Sequence, residues 1–594
     1  MSPIALHNDP AIDRIAIIGA GPCGLAGAKY LAAENKFSEI VVFDQRAEPG
    51  GVWNYTAHSG VDDGSFTVPR TRPTRQPDTA IWTTPAASAS PSASSSFGPP
   101  GDRPGSECLA AAAQFISPVY DQLETNIPHT LMNYSDAPFP QDCSLFPPHQ
   151  VVRGYLQSYA EELRERGMLS LETQVLSVTP RHSHGSRDGG PVEGGGWDVR
   201  VLDLRTNEER TAHFDAVLVA SGHYNDPFIP DIKGLAGFDK AHPGAISHSK
   251  FYRRPDQYVG KKVIIVGNSA SGIDLSAQIG AVCQLPIIVS EKIKPVASAV
   301  AHPGGEEGDV PRVKIVPEIR EFLPATRGVV YADGTTDAEV DAVIFCTGYF
   351  YSFPFLELPS GENDETTTTT PSNTDITSPS SSSSSSSSPC GEITDRAPTP
   401  RLLPPIITDG SHAAHLYQHI LYTHDPTLAF LGIPQRVVPF PVSEAQAGWV
   451  ARIWSGRLPT PSFAGMTAWE AELVARKVGP AGSGSEKVSR AALHNMAFPQ
   501  DVEYINLLHN ECVSARPAEG LENDGRGKVP PSWGADKAWI RERMPLIKTA
   551  SRALGSKRHE IRSLEELGFD FVAWKKKKEL EGLEVRAAAE QQIL

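Results

Sequence analysis

The chain has 594 residues, enough at about 150 residues per domain for several domain-sized units, or for fewer that carry insertions. With 40% hydrophobic and 21% charged residues it has the composition of a globular enzyme and not of a wholly disordered chain. The 54 basic and 70 acidic side chains leave a formal net charge of −16, which opposes sequence-independent binding to nucleic-acid phosphates or anionic membranes and favours a small-molecule partner.

The first residues lack the basic start and apolar run of a secretory signal, and no apolar stretch reaches the ~20 residues that span a bilayer. The seven cysteines are scattered and form no C-x-x-C pair, so neither a zinc site nor a redox disulfide is signalled. A cytoplasmic protein with reduced thiols is expected. Short β-branched runs then follow in order at residues 15–18, 40–43, 217–219, 263–266, 287–289 and 343–345, alternating with helical patterns. This predicts an α/β fold with parallel sheets. Polar tracts interrupt it: an Ala/Ser/Pro-rich insertion at 83–104, a glycine-rich hairpin connection at 185–196, and a Thr/Ser tract at 361–399. Each is expected to be a surface excursion, and those at 83–104 and 361–399 to be disordered, because such tracts offer little apolar surface to offset ordering entropy.

The strand runs cluster twice, and each cluster opens on a strand that ends in a glycine-rich turn. In the first, Ile15 to Ile18 leads into Gly19-Ala-Gly21-Pro-Cys-Gly24, where Gly21 allows a pyrophosphate to approach backbone at a positive helix terminus. Val41-Val42-Phe43-Asp44 follows at the distance at which a carboxylate can accept hydrogen bonds from a ribose diol. A purely structural glycine turn is the alternative. The second turn, Gly267-Asn268-Ser269-Ala270-Ser271-Gly272, carries Ser269 at the middle glycine position. It is not a hydrolase nucleophile elbow, because Ser271 stands where G-x-S-x-G needs glycine. The strand after it is expected to end in Ser290 at the place of Asp44, removing a carboxylate that would repel a 2′-phosphate. Lys292 and Lys294 could add positive charge, although Glu291 weakens that case and the lysines could simply be solvated. NADP is thus favoured over NAD. Two Rossmann-like dinucleotide folds are implied, holding two cofactors or one cofactor and a vestigial site.

After Asp44 comes Glu48-Pro-Gly50-Gly51-Val52-Trp53, and later Ser117-Pro-Val-Tyr120-Asp121-Gln-Leu-Glu-Thr125-Asn126-Ile-Pro128. Ala220-Ser221-Gly222-His223-Tyr224 and Cys346-Thr347-Gly348-Tyr349 each follow a β-run, and Gly244-Ala-Ile-Ser-His248-Ser-Lys-Phe-Tyr252 lies between them. These strings resemble flavin-containing monooxygenases of the class B N- and S-oxygenating type, particularly fungal members. The resemblance extends over about residues 14–461, insertions excepted, and includes Pro426-Thr-Leu-Ala-Phe-Leu-Gly432 and Glu444-Ala-Gln446-Ala. His242 departs from the pattern, which has an aromatic residue two positions before Gly244.

The resemblance implies a FAD domain in two parts, 1–226 and 347–594, with a helical C-terminal region, interrupted by an NADPH domain at 227–346. It implies that NADPH reduces FAD and that the reduced flavin captures O2 as a C4a-hydroperoxide. A soft small-molecule nucleophile, a thiol, thioether or amine of the N,N-dimethylaniline kind, then takes the distal oxygen. Asn126 is the candidate catalytic residue, placed by resemblance beside flavin and nicotinamide, where its amide offers both donor and acceptor. An ordinary turn asparagine is the blander reading. Gly19, Gly21, Gly24, Asp44, Gly51, Val52, Trp53 and Thr125 are the flavin-side candidates, and Gly267, Ser269, Ser271, Gly272, Ser290 and Lys292 the nicotinamide-side ones. Trp53 could equally fill core, and His248 is expected to hold the two domains in register. A metal is not expected, and a homo-oligomer is compatible with the sequence.

Alternatives are a Baeyer–Villiger monooxygenase and a catalytically silent NADP(H)-binding scaffold. In the first, the histidine element ends in Trp followed by Pro or Asp, whereas Tyr252 is followed by Arg253; retained Asn126 weighs against the second. Disulfide reductases share two such folds but need a cysteine pair at the flavin, which Cys23 lacks.

Overall fold

Each β-branched run becomes a strand, and most residues of these strands are buried on both faces, as parallel strands covered by helices must be. A computed structural model describes residues 11–57, 67–83, 112–181, 195–292, 312–359, 403–478 and 492–591. Residues 84–104, the glycine-rich connection from 185 to 194, Lys294 and the tract at 361–399 lie outside the described residues.

Strand β1 (Arg14–Ile18) leads into helix α1 (Pro22–Ala32) and returns as β2 (Glu39–Phe43), parallel to β1. Strand β3 (Ala216–Val219) pairs with the other edge of β1, also in parallel. Leu428–Phe430 adds to β3, and the short strands Leu416–Tyr417 and Leu421–Tyr422 complete that side of a seven-stranded sheet. Alternation along β1 sends Ile15 and Ile17 into one core and Ala16 and Ile18 into another, one on each face.

A second sheet of five parallel strands is built from β4 (Val263–Val266), β5 (Ile287–Ser290) and β6 (Ala342–Phe345), flanked by Ile246–His248 and Val313–Val316. Helix α2 (Ala270–Ile279) connects β4 to β5. Its strands all fall between β3 and Leu416, so the second sheet interrupts the chain of the first. The register corrects one expectation. Ile18 stands opposite Phe43 in the first sheet and Val266 opposite Ser290 in the second. Ser290 is therefore the counterpart of Phe43, and Glu291 is the counterpart of Asp44.

Helix α3 (Pro439–Trp454) packs on α1 with nearly every residue buried, so it reads as apolar all round apart from a few satisfied polar groups. Buried Glu444 accepts from the Ser135 N–H and hydroxyl, and Gln446 accepts from the Gly432 N–H at 2.9 Å. Burial raises the Glu444 carboxyl to about 7. A late helix, α4 (Ala535–Ala553), reaches back over residues 124–146. Among the described residues, no helix is long and apolar enough to cross a membrane, and no cluster of ligating side chains could hold a metal.

Candidate functional site

Gly19 leaves β1 in a left-handed conformation, φ +104°, and Gly267 leaves β4 at φ +103°. At both positions a Cβ would come within 2.7 Å of a crossover carbonyl, Ala220 in the first sheet and Cys346 in the second. A Cβ at Gly24 would fall on the Gly19 carbonyl oxygen, and one at Gly272 on that of Gly267. These glycines let the first helical turn sit against the strand end. Neither helix has a side-chain cap: Gly21 stands at the N-cap of α1 and exposed Ser269 at that of α2, with half-buried Ser271 in the first turn. The free N–H groups and positive helix ends suit a pyrophosphate. At Gly51, φ +57°, a Cβ would approach the Gly21 Cα to 2.9 Å, so the G-G-x-W turn closes directly over the first cradle. Both places fit a dinucleotide.

The strand tips differ. Asp44 is 6% exposed, and its carboxylate accepts the Ala20 N–H at 2.7 Å and the Arg46 N–H at 2.8 Å. Each oxygen keeps a further lone pair for a ribose hydroxyl. Burial raises its carboxyl, with Arg46 opposing the shift. At the second tip, Glu291 accepts from the Asn268 side-chain amide at 2.9 Å. Ser290 is 1% exposed and donates to the Pro317 carbonyl at 2.9 Å, so its hydroxyl faces the interior and not a phosphate. Lys292 is exposed.

A single segment ties the two cradles together. The Ser117 hydroxyl donates to the Val52 carbonyl, and the Tyr120 hydroxyl to the Asp274 carboxylate on α2. The buried guanidinium of Arg253 donates to the carbonyls of Ser117, Lys250 and Tyr252 at 3.0, 2.9 and 2.7 Å. Tyr252 itself donates to Gln278 on α2 at 2.9 Å. The sequence singled out the strings that hold Tyr120 and Arg253 but not these roles; an arginine directly after the histidine element was the available signal.

Asn126 lies at a bend farther along this segment; its side chain is exposed and makes no hydrogen bond among the described residues. Thr125, expected beside the cofactors, turns inward: it is buried, and its hydroxyl donates to the Ile127 carbonyl at 2.9 Å, which shapes the bend. Trp53 is half-buried and packs on the first core. His248 is fully buried; its Nδ1 accepts the Lys250 N–H at 3.1 Å while Nε2 donates to the Gly348 carbonyl at 3.1 Å. Burial lowers the imidazole to about 3, so it is neutral and pins the return crossover at Gly348. Cys23 is a free thiol, and desolvation pushes it up to about 12.

Residues 111–304 and 309–367 match the family model described as flavin-binding monooxygenase-like, and residues 17–72 match that of an NAD(P)-binding Rossmann-like domain. Both matches point the same way: the chain is similar to the flavin-containing monooxygenase family. Among the relatives, flavin-containing monooxygenase FMO GS-OX-like 4 of Arabidopsis thaliana is 27% identical, over 87% of this chain and 90% of its own. Flavin-containing monooxygenase iboF of Amanita muscaria is 28% identical, over 76% and 80%. The fold is shared with S-allyl-L-cysteine S-oxygenase from Allium sativum at a TM-score of 0.60 and 23% identity, over 95% of this chain and 98% of the other. This likeness is to class B flavin-containing monooxygenases, which are oxidoreductases, and it implies binding of FAD and NAD(P)H.

Proposed function

We propose that the protein transfers one oxygen atom from O2 to the sulfur or nitrogen of a soft, small-molecule nucleophile, with FAD on the first cradle and the nicotinamide dinucleotide on the second. The corresponding domain limits are 1–226 with 347–594, and 227–346. Bound flavin, reduced by the nicotinamide, supplies the oxygen activation. The protein's part is positional. Gly21 and Gly51 admit the flavin dinucleotide to backbone contact, Asp44 presents acceptors to its ribose, and the segment from Ser117 to Asn126 fixes the distance between the two cradles.

The observation that carries this reading is the unengaged amide of Asn126, a donor and an acceptor left free on the segment that joins both cradles. Polar groups aimed at a reacting oxygen stabilise the charge that develops there, and bound cofactors would give this amide its partners. Arg253 after Tyr252, buried and bonded to three backbone carbonyls, supports N- or S-oxygenation over the Baeyer–Villiger reading. NADPH is the proposed donor, on the strength of exposed Lys292 beside the tip. Glu291, at the position equivalent to Asp44, holds that preference down, because an acidic tip suits a ribose diol.

The test is product formation set against hydrogen peroxide release, with a thiol, a thioether, a tertiary amine and a cyclic ketone in parallel. Oxygenated sulfur or nitrogen product in proportion to NADPH consumed is expected. Lactone alone, or peroxide alone with every compound, would overturn the reading.

A further inference from the structure

Two cations of the late segment, Lys548 and Arg558, converge with His559 on the bend that holds Asn126. Lys548, on α4, donates to the Thr125 carbonyl at 2.7 Å. Its side chain is 11% exposed and its ammonium lies 4.1 Å from the Phe146 ring centroid. One residue earlier in the bend, Glu124 receives two bonds from the Arg558 guanidinium at 3.0 Å each, with His559 at 3.2 Å and Lys548 at 3.9 Å. The Ile561 carbonyl accepts the Leu145 N–H at 2.8 Å, behind the same bend. Arg552 pairs at 3.5 Å with Asp274, the carboxylate on α2 that also receives Tyr120. The late segment therefore holds the joining segment directly at Glu124 and Thr125, and through Arg552 it meets the α2 carboxylate that Tyr120 bonds.

We propose that Lys548 is a positioning residue that, together with Arg558, holds the backbone of Glu124 and Thr125 and so fixes the direction of the Asn126 amide. The proposal rests on the reading of Asn126 given above. The largely buried Lys548 ammonium makes a charge-assisted bond to this carbonyl, stronger and more directional than one in water. Burial lowers this ammonium to about 8, with Glu124 opposing the shift, so it stays charged at neutral pH. Thr125 has its N–H on the Pro147 carbonyl and its hydroxyl on Ile127. With Lys548 on its carbonyl, every polar group of Thr125 is held, while Asn126, the next residue, is left free to act.

The experiment compares the full-length parent with Lys548→Met, Lys548→Arg, Arg558→Ala and Asn126→Leu. Amide hydrogen exchange over residues 121–133 should quicken about tenfold in Lys548→Met, the loss of one charge-assisted bond, and recover in Lys548→Arg. FAD content should stay at the parent's level, while NADPH-dependent release of hydrogen peroxide in the absence of any substrate rises about tenfold in Lys548→Met and falls back in Lys548→Arg. If Lys548→Met fails to retain FAD, partly exposed Arg558→Ala carries the same two readouts. Unchanged exchange and unchanged peroxide release in the lysine variant, with Asn126→Leu releasing peroxide freely, overturn the proposal alone. Unchanged peroxide release in Asn126→Leu, with faster exchange in Lys548→Met, instead removes Asn126 from the site and leaves Lys548 as an anchor of the bend.

Discussion

At Gly19 and Gly267 the chain turns through the same left-handed conformation, and each turn is closed by the same device, a glycine one helical turn later whose missing Cβ leaves room for a carbonyl. One residue past each turn the likeness ends. Ala20 offers its backbone N–H to Asp44, a short and buried carboxylate, whereas Asn268 offers a side-chain amide to Glu291, a longer and half-buried one. Binding a diphosphate demands one backbone shape, so the turn repeats. Recognising a particular ribose depends on a side chain at the strand tip, so the tip varies.

The largest effect should come from breaking the shared device. Gly24→Ala places a methyl group on the Gly19 carbonyl oxygen, and the overpacking should weaken FAD retention about a hundredfold, seen as loss of flavin absorbance from the purified protein. The same change in the second copy, Gly272→Ala, should leave the protein yellow while raising the KM for the nicotinamide at least about tenfold. A colourless Gly272→Ala protein would mean that the two cradles are assigned the wrong way round. At the tips the effects are smaller. Glu291→Gln keeps an acceptor for Asn268 but removes the charge, so the ratio of kcat/KM for NADPH to that for NADH should rise about tenfold. A ratio that does not move would place the 2′-substituent away from Glu291. Smallest of all, Ser290→Ala should leave that ratio within about twofold and cost about 1 kcal/mol in denaturant unfolding, since only an interior bond to Pro317 is lost.

The fold was legible because strands buried on both faces need uninterrupted apolar runs, and because the glycine turns have fixed spacing to them. The second tip was misread by one residue for a physical reason. Ser290 is polar but sits within the strand, with its hydroxyl satisfied by Pro317, so the end of the apolar run at Val289 is not the end of the ladder. Counting from the glycine did not help, because the path from Gly267 to its tip is one residue shorter than that from Gly19. Thr125 shows a different blind spot: a hydroxyl in a polar string can serve the turn instead of the ligand. The clamp by Lys548 and Arg558 could not be read at all, because partners separated by 423 and 434 residues leave no local pattern.

The claim that the joining segment presents a catalytic amide is tested most directly by Asn126→Leu, assayed for product and hydrogen peroxide together. FAD content and NADPH oxidation should persist, while the product formed per NADPH falls about a hundredfold and peroxide takes its place, the cost of one lost preorganised polar contact. Product yield equal to the parent's, with no added peroxide, would contradict the claim and make Asn126 a turn residue.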